Sequence, residues 1–171
     1  MGRRARTAAV GTVSAALLTT GLLTTALLTT ACSSSGGQTS TSVFAVRPGQ
    51  CFVAPKDVKA ELSNLDQVPC TKPHTQEAYA LVTYQPAGTG PSASAAGGAY
   101  PGGDALDKYA KGACAQRFTK YVGVDYLDSK LFYTYLLPSA RSWEQDDDRT
   151  ILCFITTTGG TLTASVKGSR K

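Results

Sequence analysis

Apolar residues recur at helical spacing in one segment of the chain, GGDALDKYAKGACAQRFTKYVG, and this spacing predicts the main helix. Its apolar stripe comprises Leu106, Tyr109, Ala110, Ala113, Cys114, Phe118 and Tyr121. Asp104 is expected to cap the start of the helix. Gly123 is expected to end it, because glycine readily adopts the left-handed conformation found there.

Alternation of apolar and polar residues predicts strands on both sides of this helix. Before it, VFAVRPGQCFV predicts two short strands around Pro48-Gly49, and EAYALVTY predicts a third strand with alternate residues on opposite faces. The polar stretch between them, APKDVKAELSNLDQ, predicts a short helix or loop. After the helix, KLFYTYLLP predicts a strand, and TILCFITTT with TLTASVKG predicts a hairpin that turns at Gly159-Gly160.

The resulting order, β-β-β-α-β-β-β, is typical of an α+β fold with a small, mostly antiparallel sheet packed with one main helix. Residues 44–168 fit the length of one domain. Residues 85–103 are rich in Pro, Gly, Ala and Ser, which predicts a flexible loop. We place this loop inside the domain, because each side alone is too small to build a good core.

Residues 1–31 predict an export signal. Three arginines at the start are followed by an uncharged, moderately apolar stretch that ends in small residues. Leu28 to Ala31, directly before Cys32, resemble the lipobox of bacterial lipoproteins. The sequence therefore predicts that Cys32 becomes the lipid-bearing, palmitate-type N-terminus and that residues 32–43 form a flexible tether. Simple secretion and an uncleaved membrane helix are the alternatives.

Lipidation predicts that the domain is held at the extracytoplasmic face of the cell membrane through its lipid anchor. The full chain has a formal net charge of +5, but removal of the signal takes Arg3, Arg4 and Arg6 with it. The mature chain then lacks a basic patch with interleaved aromatic residues, and nucleic acid is not expected as a partner.

The chain has five cysteines, and lipidation of Cys32 leaves an even four. In an exported protein, four cysteines predict two disulfides. Cys114 lies on the apolar face of the predicted helix and Cys153 on one face of a predicted strand, so we expect these two to pair. Cys51 and Cys70 are then expected to form the second bridge.

His74 is the one histidine of the chain, and Glu77 follows three residues later. The two side chains are candidates for binding, for a metal or for catalysis. If the strand runs through both positions, an offset of three places them on opposite faces, which argues against a shared site. A disulfide at Cys70 also removes the neighbouring nucleophile. We therefore expect a structural or surface histidine, with no metal and no cofactor.

WEQDDDRT contains three further candidate binding residues, Trp143, Asp148 and Arg149. The acidic run lacks the alternate spacing of a calcium loop and is expected to form a solvated turn. We expect Arg149 to pair with one of the aspartates and Trp143 to cover the core. Neither a nucleophile elbow nor a phosphate-binding glycine loop occurs in the sequence, which disfavours a hydrolase.

Several motifs together resemble the septum formation family of exported or membrane-tethered proteins from high-GC Gram-positive bacteria. They are GQCF, VPCTKPHTQEAYA, CAQRFTKYVG, the Asp148-Arg149…Cys153 pattern and LTASVKG. The sequence departs from the family pattern at Gln50, where aspartate is usual, and at Asp147, where glycine is usual. The resemblance implies a link to cell division or the envelope, and it supplies no catalytic residues.

From the sequence we expect a non-enzymatic binding or accessory module at the cell envelope, linked to septum formation, with envelope or division proteins as unknown partners. One alternative is an envelope enzyme or metal-dependent factor that uses His74 and Glu77. Another is a ligand-sensing lipoprotein in which the 85–103 loop acts as a lid.

Overall fold

A computed structural model describes residues 37–57, 61–86 and 98–171. Within these ranges the chain forms an antiparallel sheet with one long helix, so the predicted α+β class is confirmed. The elements in chain order are β1 (Thr39–Ser42), β2 (Cys51–Val53), β3 (Asn64–Val68), β4 (Gln76–Thr83), α1 (Gly103–Val122), β5 (Phe132–Leu136), α2 (Ala140–Gln145) and β6 (Thr150–Thr156). Short 3₁₀ turns follow β1 and α1, at Val43–Ala45 and Tyr126–Asp128.

The six strands of this sheet lie in the order β1-β3-β2-β4-β6-β5. The apolar stripe of α1 packs on one face of the sheet and buries Leu106, Ala110, Cys114, Phe118 and Val122. A second apolar cluster covers the opposite face and includes Val46, Phe52, Leu65, Ala78, Leu152 and Phe154. The sheet therefore has two buried faces, and only one of them is covered by the long helix.

Both predicted disulfides are present. Cys114 on α1 is bonded to Cys153 on β6, and their Cα atoms are 5.7 Å apart. Cys51 on β2 is bonded to Cys70 just after β3, with a Cα separation of 5.2 Å. The first bridge fixes the helix to the sheet, and the second closes the β2–β3 segment.

The ends of α1 follow the sequence in part. Gly123 has a φ of 89° and ends the helix in the left-handed conformation, as predicted. The N-cap position is Gly102, not Asp104. Asp104 instead lies in the first turn, where its negative charge still interacts favourably with the positive end of the helix dipole.

Within the described residues, four strands precede α1 and two follow it, which differs from the predicted three and three. β1 lies inside residues 32–43, the segment predicted as a tether, because its polar threonines pair with β3 as a short edge strand. β3 lies in the stretch predicted as a helix or loop. Leu65 is its one fully buried residue, so its alternation is weak in the sequence.

The predicted terminal hairpin is absent from the described residues. β6 is already hydrogen-bonded to β4 on one side and β5 on the other, which leaves no free edge for the segment after Gly159-Gly160. That segment makes a single bridge, between Leu162 and His74, and then runs beside the end of α1.

Strand β4 carries an irregularity between Ala78 and Ala80. The additional residue, Tyr79, points to the helix side and donates a hydrogen bond of 2.8 Å to the carbonyl of Cys114. The simple alternation predicted for this strand is therefore wrong, because a bulge places two successive residues on one face.

The sequence pattern does not predict the short helix α2. Ser139 and Ser142 form a reciprocal capping box at its start.

No helix among the described residues is both long and apolar enough to cross a bilayer.

Candidate functional site

Glu77 is completely buried on the helix side of the sheet, where it accepts three hydrogen bonds from two separate parts of the chain. The hydroxyls of Tyr121 and Ser165 each donate to its Oε1 at 2.6 Å. The backbone N–H of Val166 donates to its Oε2 at 2.8 Å. The carboxylate thereby fastens the C-terminal segment and the end of α1 to β4.

His74 lies beside this carboxylate and is only 1% exposed. Its backbone pairs with Leu162 in both directions, at 2.9 and 2.8 Å. Its Nδ1 is 2.7 Å from the carbonyl oxygen of Lys72, a contact that requires a proton on Nδ1. Its Nε2 is buried and has no hydrogen-bond partner within the described ranges.

The structure brings His74 and Glu77 together, although strand alternation predicted opposite faces. The reason is that β4 begins at Gln76, so His74 precedes the strand and is positioned by its own bridge to Leu162. One ligand atom from each of Cys51, His74 and Glu77 lies within 4.8 Å of the others. Cys51 is part of a disulfide here, so its sulfur is not a thiolate.

We expect the domain to lose stability as the pH rises above about 10. Burial raises the pKa of Tyr79, and burial together with the hydrogen bond to Glu77 raises the pKa of Tyr121. In the unfolded chain these phenols titrate near 10, so above that pH the unfolded state loses protons that the folded state keeps. Urea unfolding at a series of alkaline pH values measures this loss.

A Tyr79→Phe variant provides the control for this alkaline loss. Phenylalanine keeps the ring in place but has no proton to lose, so the decline of stability with pH should be shallower in the variant. Identical slopes in the two proteins would contradict the expected role of Tyr79.

Asp148 and Arg149 lie in the turn between α2 and β6, and this turn folds back onto Trp143 in α2. The guanidinium of Arg149 lies 3.8 Å from the centre of the Trp143 ring and donates to the Trp143 carbonyl at 2.6 Å. Arg149 also pairs with Asp147 at 3.0 Å, which confirms the expected contact with one of the aspartates. Asp148 accepts from the Thr150 N–H and the Ser142 hydroxyl. These interactions stabilise the turn and bury Trp143 as a cover for the core.

A cleft of about 610 Å³ opens on the sheet face opposite α1. Leu81, Leu136 and Leu152 line it from the sheet, and Val43, Phe44 and Leu62 line it from neighbouring segments. Phe44 is 57% exposed, which is high for a large apolar side chain. The cleft therefore offers apolar side chains, beside polar ones, that the domain leaves partly uncovered.

Most of the charged residues that line this cleft are acidic. Among the described residues, Glu61, Asp146 and Asp148 line it together with one basic side chain, Arg141, which pairs with Glu61 at 3.8 Å. Sequence reasoning identifies only Asp148 as a candidate binding residue here. The cleft is lined by segments that are distant in sequence. The one local signal for it was the apolar residue Phe44, which the sequence pattern assigned to a strand.

Three predicted features lie wholly or mostly outside the described residues. The export signal, residues 1–31, and the lipidation site Cys32 precede residue 37, and most of the 85–103 loop falls between residues 86 and 98. At the described C-terminal end of that loop, the carbonyl of Gly98 accepts a hydrogen bond from the Trp143 indole at 2.7 Å.

Comparison with known proteins gives one family. The sequence profile of the septum formation family matches residues 48–170, which cover β2 through the C-terminal segment. No curated protein and no solved structure matches the chain significantly. The matched region contains both disulfides, the buried His74 and Glu77, and most of the open cleft. Since the match spans most of its length, this chain belongs to the septum formation family.

Proposed function

We propose that this protein is a lipid-anchored accessory protein of cell division that acts at the extracytoplasmic face of the membrane by binding, not by catalysis. Family membership supports the link to septum formation. The basic and then uncharged N-terminus, the lipobox-like residues before Cys32 and the short polar segment up to β1 support export and anchoring.

The open cleft is the observation that carries the binding role. Its volume, about 610 Å³, is in the range of ligand-binding clefts, and part of its apolar lining, Leu81, Leu136 and Leu152, comes from the sheet. The buried His74–Glu77 pair is enclosed between the sheet and the C-terminal segment. It offers no direct access to a large substrate, so the cleft is the better binding surface.

The occupant that fits this cleft is an apolar peptide segment flanked by lysine or arginine, contributed by a membrane protein of the division apparatus. Apolar side chains complement Leu81, Leu136 and Phe44. Basic side chains complement the three carboxylates, which outnumber the one arginine among the described lining residues. These three carboxylates, Glu61, Asp146 and Asp148, form an acidic rim that disfavours anionic lipid headgroups and lipid-linked phosphates.

Site-specific photo-crosslinking in living cells tests this role. A photoreactive phenylalanine analogue at position 44 should crosslink a division or envelope protein, and the crosslinked peptide should be apolar with adjacent basic residues. The matched control is position 127, because Leu127 is also a large exposed apolar residue but does not line the cleft. Equal products from both positions, or no product from position 44, would refute binding in the cleft.

A charge reversal tests the acidic rim in the same experiment. Asp146→Lys places a cation at the cleft and should reduce the position-44 product by about tenfold, the size of one lost favourable charge contact. Asp128→Lys, an exposed change outside the cleft, should leave the product unchanged.

Anchoring is tested separately by fractionation. Globomycin should cause an uncleaved precursor to accumulate, and Cys32→Ser should move the protein out of the lipidated membrane fraction. Absence of the precursor, with normal processing, would rule out lipidation while leaving the cleft experiment interpretable.

A further inference from the structure

A second site, independent of the cleft, lies where β2, β4 and the segment before β4 meet. The Cys51–Cys70 disulfide, His74 and Glu77 are clustered there. Ligand atoms of Cys51, His74 and Glu77 lie within 4.8 Å of one another, and all three residues are buried. In the oxidised protein this cluster contains one imidazole and one carboxylate, beside a sulfur that is a poor metal ligand.

The buried imidazole has the arrangement of a metal-ligating histidine. Its Nδ1–H donates to the Lys72 carbonyl, which leaves the lone pair on Nε2. Metal-ligating histidines typically donate their other ring N–H to a backbone carbonyl or carboxylate in the same way. The Nε2 is buried and unpartnered among the described residues, which is a costly state for a polar atom unless a ligand completes it.

We propose that reduction of the Cys51–Cys70 disulfide creates a zinc site whose ligands are the two thiolates, His74 Nε2 and a Glu77 oxygen. A dithiol reductant transfers two electrons and two protons to the disulfide: its S–S bond breaks, two thiols form, and the reductant becomes a disulfide. Zinc then displaces the thiol protons and binds both sulfurs. The resulting set of two sulfurs, one nitrogen and one oxygen suits tetrahedral Zn²⁺.

For Cys51, His74 and Glu77, the geometry requires only a modest contraction. Zinc–ligand bonds of about 2.0–2.3 Å place tetrahedral ligand atoms roughly 3.5 Å apart, against the upper limit of 4.8 Å in this cluster. Glu77 Oε2 accepts one hydrogen bond in this cluster, from Val166, and retains a lone pair for a metal. The two sulfurs are already adjacent and need only to separate.

Reduction is expected to affect this disulfide first. Cys70 is partly exposed, whereas Cys114 and Cys153 are both completely buried between α1 and the sheet. Thiol attack depends on access to a sulfur atom, so a mild reductant reaches Cys70 before the other bridge. The zinc site would thus form in a domain whose helix remains bonded to the sheet.

Cobalt and zinc titrations of the full processed protein test this proposal. After mild phosphine reduction and anaerobic removal of the reductant, Co²⁺ should produce sulfur-to-cobalt charge-transfer bands and the intense visible bands of a tetrahedral site. Zn²⁺ should then abolish these bands by displacing the cobalt. The oxidised protein is the matched control and should show neither set of bands.

Variants assign the ligands. His74→Ala should weaken Co²⁺ binding by more than about 100-fold, because even partners outside the ligand shell contribute 10- to 100-fold. Cys51→Ser with Cys70→Ser should abolish the charge-transfer bands. Bands that persist in this double variant, or that never appear in the reduced wild-type protein, would overturn the proposal.

Alkylation of the wild-type protein keeps the test decisive if a variant does not fold. In the mildly reduced protein, Zn²⁺ should protect Cys51 and Cys70 from iodoacetamide by at least about tenfold in rate, as expected for metal-bound thiolates. Peptide mapping identifies the protected cysteines. Equal alkylation with and without zinc would reject the site without any substitution.

Discussion

Replacing Glu77 by alanine is expected to lower the free energy of unfolding by about 4 kcal/mol, because three hydrogen-bond donors depend on this one carboxylate. The carboxylate is completely buried and accepts from Tyr121, Ser165 and the Val166 N–H. Alanine leaves these three donors without an acceptor, and each unsatisfied buried group costs about 1–3 kcal/mol. Equilibrium urea unfolding followed by circular dichroism measures the change.

Two further variants separate hydrogen bonding from general effects of substitution. Glu77→Gln keeps one acceptor oxygen and should cost about half as much as alanine, on the scale of one to two hydrogen bonds. Glu144→Ala removes an exposed carboxylate from α2 and should leave the unfolding midpoint nearly unchanged. If the Glu77→Ala, Glu77→Gln and Glu144→Ala variants all unfold at the same urea concentration, Glu77 does not fasten the C-terminal segment.

The importance of Glu77 shows where sequence reasoning reached its limit. The pair His74 and Glu77 was visible in the sequence as a candidate, but its partners were not. Ser165 and Val166 are 88 and 89 residues away, in a segment that the sequence predicted as a strand. No local pattern indicates that a distant hydroxyl and N–H will converge on one carboxylate, because this convergence depends on tertiary packing.

Local sequence patterns were sufficient to predict α1 and the two disulfides. The helical period and Gly123 predicted α1 well, and the two disulfides followed from the faces that the cysteines occupy. The edge strand β1 and the strand β3 were missed, since their short polar sequences gain strand structure from pairing with each other. The cleft was missed for a related reason: its apolar wall is assembled from separate elements.

Removal of the Cys114–Cys153 bridge, by replacing both cysteines with alanine, is expected to lower the free energy of unfolding by about 4 kcal/mol. The bridge joins residues 39 positions apart, and the chain-entropy cost of leaving such a loop open in the unfolded state gives this value. It is also the covalent link between α1 and β6, and both sulfurs are buried in the main core. The midpoint of urea unfolding should therefore shift strongly in the variant.

The other bridge provides a matched comparison. Cys51→Ala with Cys70→Ala opens a loop of 19 positions and should cost about 3 kcal/mol by the same relation, slightly less than the longer loop. The two variants should also differ in kind. Loss of Cys114–Cys153 should increase hydrogen exchange along α1, whereas loss of Cys51–Cys70 should increase it in β2 and β3. Faster hydrogen exchange in α1 in both variants would show that the stability of α1 does not depend specifically on the Cys114–Cys153 bridge. The domain would then unfold as a single cooperative unit.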